Sequence, residues 1–187
     1  MSISLKKGGR FNLSKDDGNL DKIMVGLGWD MVPGNTVDLD ASVFMIDATG
    51  KLPADEFFVF FNNLKSPDNS IEHTGDNRTG KGEGDDEMIL AHLSNISDAV
   101  TELVFVASIH NADVLRHHFG MLSNAYIRIV DIDTQREIIR YNLDDDNFKS
   151  VTDMEFGRLI RNGKEWNFVA SGIGSKIGLQ GYVDKYA

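Results

Sequence analysis

Apolar residues in this chain come in runs of strand length and no longer. The Phe57–Phe61 run, at five residues, is as long as any, and the turn-forming pair Asn62-Asn63 follows it at once. The periodicity along the chain is mostly that of strands. The segment Asp38–Ile46 begins by alternating and ends apolar. Phe57–Phe61 and Val104–Ile109 are rich in aromatic and β-branched residues, as strands covered on both faces are. Tyr126–Asp131 and Glu137–Tyr141, separated by Asp133-Thr134-Gln135, read as a hairpin. A second hairpin is signalled by Asn162-Gly163 between Phe156–Ile160 and Trp166–Ala170, since a tight turn needs the positive φ these residues tolerate. Helical signals are sparse. Asn111–His118 is expected to form a short helix ended by Gly120. In the tail, Ile173 and Ile177 are helically spaced, but Gly174, Gly178 and Gly181 weaken a helix there. The expected fold is a mainly β, antiparallel β-sandwich with short helices, forming one domain over residues 1–187.

Composition narrows the function. The chain has 187 residues and a net charge of 19 − 29 = −10. There is no cysteine, which excludes disulfides, zinc-thiolate sites, iron–sulfur clusters and thiol redox chemistry. A pI near 4.8 argues against nucleic acid, whose binders need a basic stripe against phosphates; acidity instead favours cations or basic partners. No run approaches a membrane span, and Met1–Lys7 lacks the apolar stretch of a secretory signal. The expectation is a soluble cytoplasmic protein with no direct membrane insertion.

The most informative segment is Gly75–Glu87, which packs five carboxylates and four glycines into thirteen residues. Gly75-x4-Gly80-Lys81 matches part of a phosphate-binding P-loop, but Gly82 stands where a Ser or Thr must ligate Mg²⁺, and the acids would repel phosphate. Asp76 to Glu87 has the length of an EF-hand loop, but Arg78, Gly80 and Lys81 fail its internal positions. A third reading is a calcium site of another kind. There the loop supplies some of the oxygens and strand-borne residues the rest, with Asp38 and Asp40 two apart on one face and Asn62-Asn63 beside another strand. Crowded carboxylates are unfavourable unless a cation neutralises them. A solvated acidic loop is the plain alternative.

Several motifs together resemble the TerD family of tellurite-resistance and general stress proteins, in particular its TerD and TerE branch. They are Met24-Val25-Gly26-Leu27-Gly28-Trp29-Asp30, Asp38-Leu39-Asp40-Ala41-Ser42, Phe60-Phe61-Asn62-Asn63 and Ser66-Pro67, followed by Glu72-His73, Gly75–Gly80, Gly82–Glu87, Phe119-Gly120-Met121, Ser123-Asn124 and Glu165-Trp166. The resemblance covers nearly the whole chain. It implies a β-sandwich with an acidic glycine-rich calcium-binding loop at one end and two Ca²⁺ ions there. It also implies other Ter-family partners, TerB-like proteins and a TerC-like membrane complex among them. Carried over, it points to Asp38, Asp40, Asn62, Asn63, Asp76, Asn77, Asp85, Asp86 and Glu87 as the ligand pool, with backbone carbonyls from Leu39 and Gly84. The implied role is a non-catalytic, calcium-binding stress-response module. The competing function is an enzyme or nucleotide-responsive protein using the Gly75–Lys81 loop on a phosphate compound. Lys81 departs from the family, which usually carries an acid there, and His110 replaces a common Tyr.

Other groupings are weaker. His110, His117 and His118 with Asp113 contain transition-metal ligands, but adjacent histidines diverge in most backbones. Ser108, His110 and Asp113 hold the residue types of a triad without a nucleophile elbow or oxyanion hole. Asp144–Asn147 reads as a solvated turn, and Trp29 and Trp166 as packing residues.

Overall fold

A computed structural model describes residues 3–4, 7–13, 20–31, 37–75, 84–143 and 148–187. Among the described residues twelve strands form two six-stranded sheets. The first sheet runs β1 (Ile3–Ser4), β10 (Arg136–Asn142), β9 (Leu122–Asp131), β3 (Lys22–Met31), β7 (Glu87–His92), β6 (Ile71–His73). The second runs β2 (Arg10–Asn12), β12 (Glu165–Ser175), β11 (Asp153–Asn162), β8 (Glu102–Ile109), β4 (Leu39–Ile46), β5 (Phe58–Val59). Among the described strands every pairing is antiparallel except that of β1 with β10. The expected sandwich is thus a mainly β, two-sheet structure with a few short helices.

The two sheets meet over one core. On β4 and β8 the odd-numbered side chains Leu39, Ala41, Val43, Met45, Leu103, Phe105, Ala107 and Ile109 point into it. The even-numbered Phe44, Ile46, Val104 and Val106 point outward into a second apolar cluster with Tyr182 and Tyr186. These two tyrosines belong to helix α2 (Gly178–Tyr186), which lies across the outer face of the second sheet. That cover explains why β4 is buried at every position while β7 alternates buried and half-buried residues. Strands covered on both faces read as continuous apolar runs, and strands covered on one face alternate.

Several local expectations are corrected. The Asn162 signal is displaced by one residue: Asn162 pairs with Glu165, so Gly163-Lys164 are the turn's central residues, with Gly163 at φ 63°. Phe57–Phe61 does not run as one strand, because only Phe58–Val59 pair in the sheet and Phe60 bridges back to Asn63. Helix α1 is Ala112–Leu115 and ends at Arg116 in the left-handed region, before Gly120 is reached. The tail after Gly172, read as a poor helix, forms α2 despite Gly178 and Gly181.

Tertiary anchors account for α2. The fully buried Asp153 carboxylate accepts one forked bond from Gly178 N–H, at 3.0 and 3.1 Å to its two oxygens, and further bonds from Ser175 Oγ to Oδ1 and Thr152 Oγ1 to Oδ2, each at 2.9 Å. At the other end, Tyr186 O accepts from Leu52 N–H, and Tyr186 Oη accepts from Arg158. Burial, reinforced by the nearby Asp153 and Glu155 charges, pushes the Tyr182 hydroxyl up to about 12; burial and Glu155 push Tyr186 up to about 12. A raised folded-state value means the helix contact favours the neutral phenol. This stabilisation is complete below pH 10 and is lost as pH rises through about 12. A tyrosinate absorbance titration should therefore show a late component that shrinks in a Tyr182→Phe/Tyr186→Phe variant, the remainder belonging to Tyr126, which burial and the Asp85 charge also raise. Ionisation of every tyrosine near pH 10 in the native protein would contradict this packing.

Candidate functional site

The acidic motifs gather at one end of the sandwich, where β4 begins, β8 ends and β7 begins. Strand periodicity then distributes them over different surfaces. Asp40, on the even side of β4, projects to the outer face of the second sheet, as Phe44 does. It is 4% exposed, and its Oδ2 lies 3.7 Å from His110 Nδ1. It also opens a register row across that face, because Asp40 pairs with Ser108, Ser108 with Asp153, and Asp153 with Ser175. Asp38 is half-buried, and its carbonyl accepts from His110 N–H at 2.9 Å. Leu39 is wholly buried.

Glu87 points the other way, into the sandwich, as Ile89 and Ala91 do along β7. It is 1% exposed. Its Oε2 accepts from the Ala41 backbone N–H, capping the edge of β4 where β5 is too short to pair. His73 lies beside it, with Nε2 3.5 Å from the same oxygen. Gly75 N–H donates to His73 Nδ1 at 3.1 Å, which places the ring proton on Nε2, toward Glu87.

Asp85 lies on a third surface. Val25 and Leu27 of β3 face the core, so Gly26 and Gly28 face outward, and the Asp85 carboxyl rests against Gly26. Arg128 and Tyr126 of β9 hold it there. Asp86 is half-buried and accepts from Trp29 N–H at 2.9 Å, while its own N–H donates to Leu27 O at 2.8 Å. Burial raises its carboxyl above the ordinary range; the Trp29 bond opposes this, and the Asp30 and Asp85 charges add to it. The Gly84 carbonyl accepts from Tyr126 Oη at 3.0 Å.

Asn62 and Asn63 form the tight turn after β5. Asn62 is exposed, whereas Asn63 Nδ2 donates to Glu56 O at 3.0 Å and Phe58 O at 2.6 Å. The neighbouring Phe61 ring meets His110 edge-on at 6.2 Å, which brings this turn to the Asp40 corner. Asp76, Asn77 and the Gly75–Lys81 phosphate reading lie largely outside the described residues, as does the Asp144–Asn147 turn. Among the described residues no three His, Asp or Glu side chains converge closely enough to hold a metal.

Sequence reasoning missed two participants. Asp30 is bonded by Asn124 Nδ2 at 2.7 Å, where β9 carries an extra residue opposite β3 and Asn124 takes φ 51°. Such a bulge re-aims side chains, and a bulge leaves no trace in periodicity until the partner strand is known. Arg128 was missed because only its distant partner gives it meaning. Both Trp29 and Trp166 are packing residues, each 3% exposed, with Arg161 stacked on Trp166 at 4.6 Å.

Chemically, the described donors at this end are carboxylate, amide and carbonyl oxygens, together with the imidazoles of His73 and His110. An oxygen-rich set of this kind suits a hard cation such as Ca²⁺, which accepts irregular geometry. No helix among the described residues is long and apolar enough to cross a membrane.

Comparison with known proteins gives a consistent result. The TerD domain model matches residues 1–186. Tellurium resistance protein TerD of an Alcaligenes species is 45% identical, the alignment covering 100% of this chain and 97% of that protein. General stress protein 16U of Bacillus subtilis is 43% identical over 96% of this chain and 94% of its own. A crystal structure of a TerD homologue from Streptomyces coelicolor superposes with a TM-score of 0.73 at 22% identity, covering 88% of this chain and 96% of that one. At that identity it speaks to the fold alone.

Proposed function

Because this chain belongs to the TerD family, whose relatives include tellurium-resistance and general stress proteins, we propose that it is a calcium-binding, non-catalytic stress-response module. It would act in the cytoplasm through protein partners, other Ter-type proteins and a TerC-like membrane complex among them. The observation that carries the calcium reading is the pair of buried carboxylates Asp40 and Glu87 at one end of the sandwich. Asp38 directly precedes β4 and Asp86 directly precedes β7 at the same end. Ala41 N–H and His73 already meet Glu87, and His110 already meets Asp40; a cation would add to that compensation of buried charges of one sign.

Asp38, Asp40, Asp86 and Glu87, with Asp76 and Asn77 from the loop and oxygens of Asn62, Asn63, Leu39 and Gly84, would hold the ions. Bound Ca²⁺ would supply positive charge that fixes the loop as a surface for partners. Nothing in this role requires a bond to be made or broken, and the absence of cysteine makes any part in tellurite resistance indirect.

Calorimetry on metal-stripped protein, titrated with Ca²⁺, Mg²⁺ and nucleotides, tests this reading. Ca²⁺ should bind in preference to Mg²⁺, which demands octahedral geometry and loses water reluctantly. Asp40→Ala should weaken Ca²⁺ binding by at least about tenfold. Asp98→Ala, at the opposite end of the sandwich, should leave it unchanged. Equal affinity for the two ions, or nucleotide binding in their place, would overturn the calcium assignment.

A further inference from the structure

We propose that Asp85 is the positioning residue of the acidic loop: it docks the loop's C-terminal end onto the first sheet through Arg128 and does not coordinate the cation. This rests on the calcium reading above and assigns one member of the acidic segment a different task.

Much of the carboxylate's acceptor capacity is already in use, by two guanidinium N–H groups and by the Tyr126 hydroxyl, whose single proton is shared with Gly84 O. Arg128 Nε lies 2.8 Å from Oδ1 and 3.0 Å from Oδ2, Arg128 Nη2 lies 2.9 Å from Oδ2, and Tyr126 Oη lies 3.2 Å from Oδ1. Charge-assisted, forked contacts of this kind are among the strongest a carboxylate makes. The side chain is only 3% exposed.

The sheet is shaped to receive it. A Cβ at Gly26 would stand 2.4 Å from Asp85 Cγ, and one at Gly28 would stand 2.5 Å from the Tyr126 ring. Glycine inside a strand is unfavourable and marks a close approach. Here the two glycines seat the acid and the tyrosine side by side.

Charge balance points the same way. Arg128 Nη1 also meets Glu137 Oε2 at 3.3 Å, and Glu137 meets Arg140 at 3.0 Å. Arg140 in turn stacks over the Tyr126 ring at 3.6 Å. The ring Asp85–Arg128–Glu137–Arg140–Tyr126 contains two acids and two bases and sums to zero. A dication brought onto Asp85 would have to displace a guanidinium and then face it at close range.

The consequence falls on the neighbours. Gly84 O is bonded to Tyr126, and Asp86 is bonded at both its N–H and its carboxylate to β3. Residues 84–86 precede β7 and are not strand, so their turn carries Asp85 to the outer face although Glu87, two residues on, enters the sandwich; unbroken alternation would have put both on one face. Asp85 thereby sets where Asp86 and Glu87 present their oxygens.

Calcium calorimetry and amide exchange on wild type, Asp85→Asn, Arg128→Met and Arg128→Lys decide the matter. If Asp85 were a ligand competing with Arg128, Arg128→Met would free it and calcium affinity would rise. A positioning role predicts the opposite sign. Arg128→Met and Asp85→Asn should each weaken binding about tenfold with the number of bound ions unchanged. The double variant should be no worse than either alone, because both remove one contact. Arg128→Lys should recover part of the loss. Increased affinity in Arg128→Met, or one fewer ion in Asp85→Asn, would overturn the proposal.

Should either variant fold poorly, Tyr126→Phe removes only the hydroxyl contacts and should weaken calcium binding by a few fold. If wild type binds no calcium, the functional reading fails, yet the anchor is still judged: Gly84–Asp86 amides should be protected in metal-free wild type and unprotected in Arg128→Met. Equal exchange in the two would overturn it.

Discussion

Replacing Asp153 with Ala is expected to lower stability by about 3 kcal/mol and the melting temperature by roughly 6–12 °C, with α2 the first element lost. The carboxylate is completely buried and collects bonds from Gly178 N–H, Ser175 Oγ and Thr152 Oγ1. Alanine leaves these donors facing an apolar site, and unmade buried hydrogen bonds are the expensive kind. Nothing within α2 compensates, since Gly178 and Gly181 disfavour a helix of only nine residues. Loss of α2 uncovers Phe44, Phe58, Val104 and Val106, so binding of a hydrophobic dye should rise with the loss of helical signal. Asp153→Asn keeps one acceptor and the shape of the side chain, and should be damaged less. A melting temperature unchanged in Asp153→Ala would show that the helix is held by its tyrosines alone.

What the sequence made legible follows the distance between partners. The β9–β10 hairpin was legible because its turn chemistry is local: Asp131 accepts from Asp133 N–H and Thr134 Oγ1, and Gln135 takes φ 57°. The placing of Asp38 and Asp40 near one another also follows from period two, and the structure puts them at the end where Asp85, Asp86 and Glu87 emerge. Helix α2 was not legible. Its local propensity is poor, and its anchor Asp153 lies 25 residues upstream of Gly178. Glu87 reads as one acid in an acidic segment until Ala41, 46 residues away, is brought to it. Asp85 and Asp86 are adjacent and chemically alike, and their surroundings are told apart only by distant partners: Arg128, 43 residues beyond Asp85, and Trp29, 57 residues before Asp86. Composition and spacing therefore located the acidic end. They did not reveal that its carboxylates face three directions.

Chelation of calcium-loaded protein should produce the second large effect. An ion that binds the native state alone adds about 2.7 kcal/mol at one hundred times its dissociation constant. Its removal should then lower the melting temperature by roughly 5–10 °C per ion. The core around Phe105 and Phe156, whose rings lie 5.7 Å apart between the sheets, owes nothing to the cation. The sandwich should survive chelation, and the loss should be confined to the acidic end.

Hydrogen exchange with and without Ca²⁺ tests the central claim most directly, because it reports where in the chain the ion acts. If calcium organises this surface, adding it to metal-free protein should slow exchange in residues 75–87 and around Asp38–Asp40, and leave the β11–β12 hairpin unchanged. Unaltered exchange in those segments at saturating calcium, or protection confined to another part of the sandwich, would contradict the account.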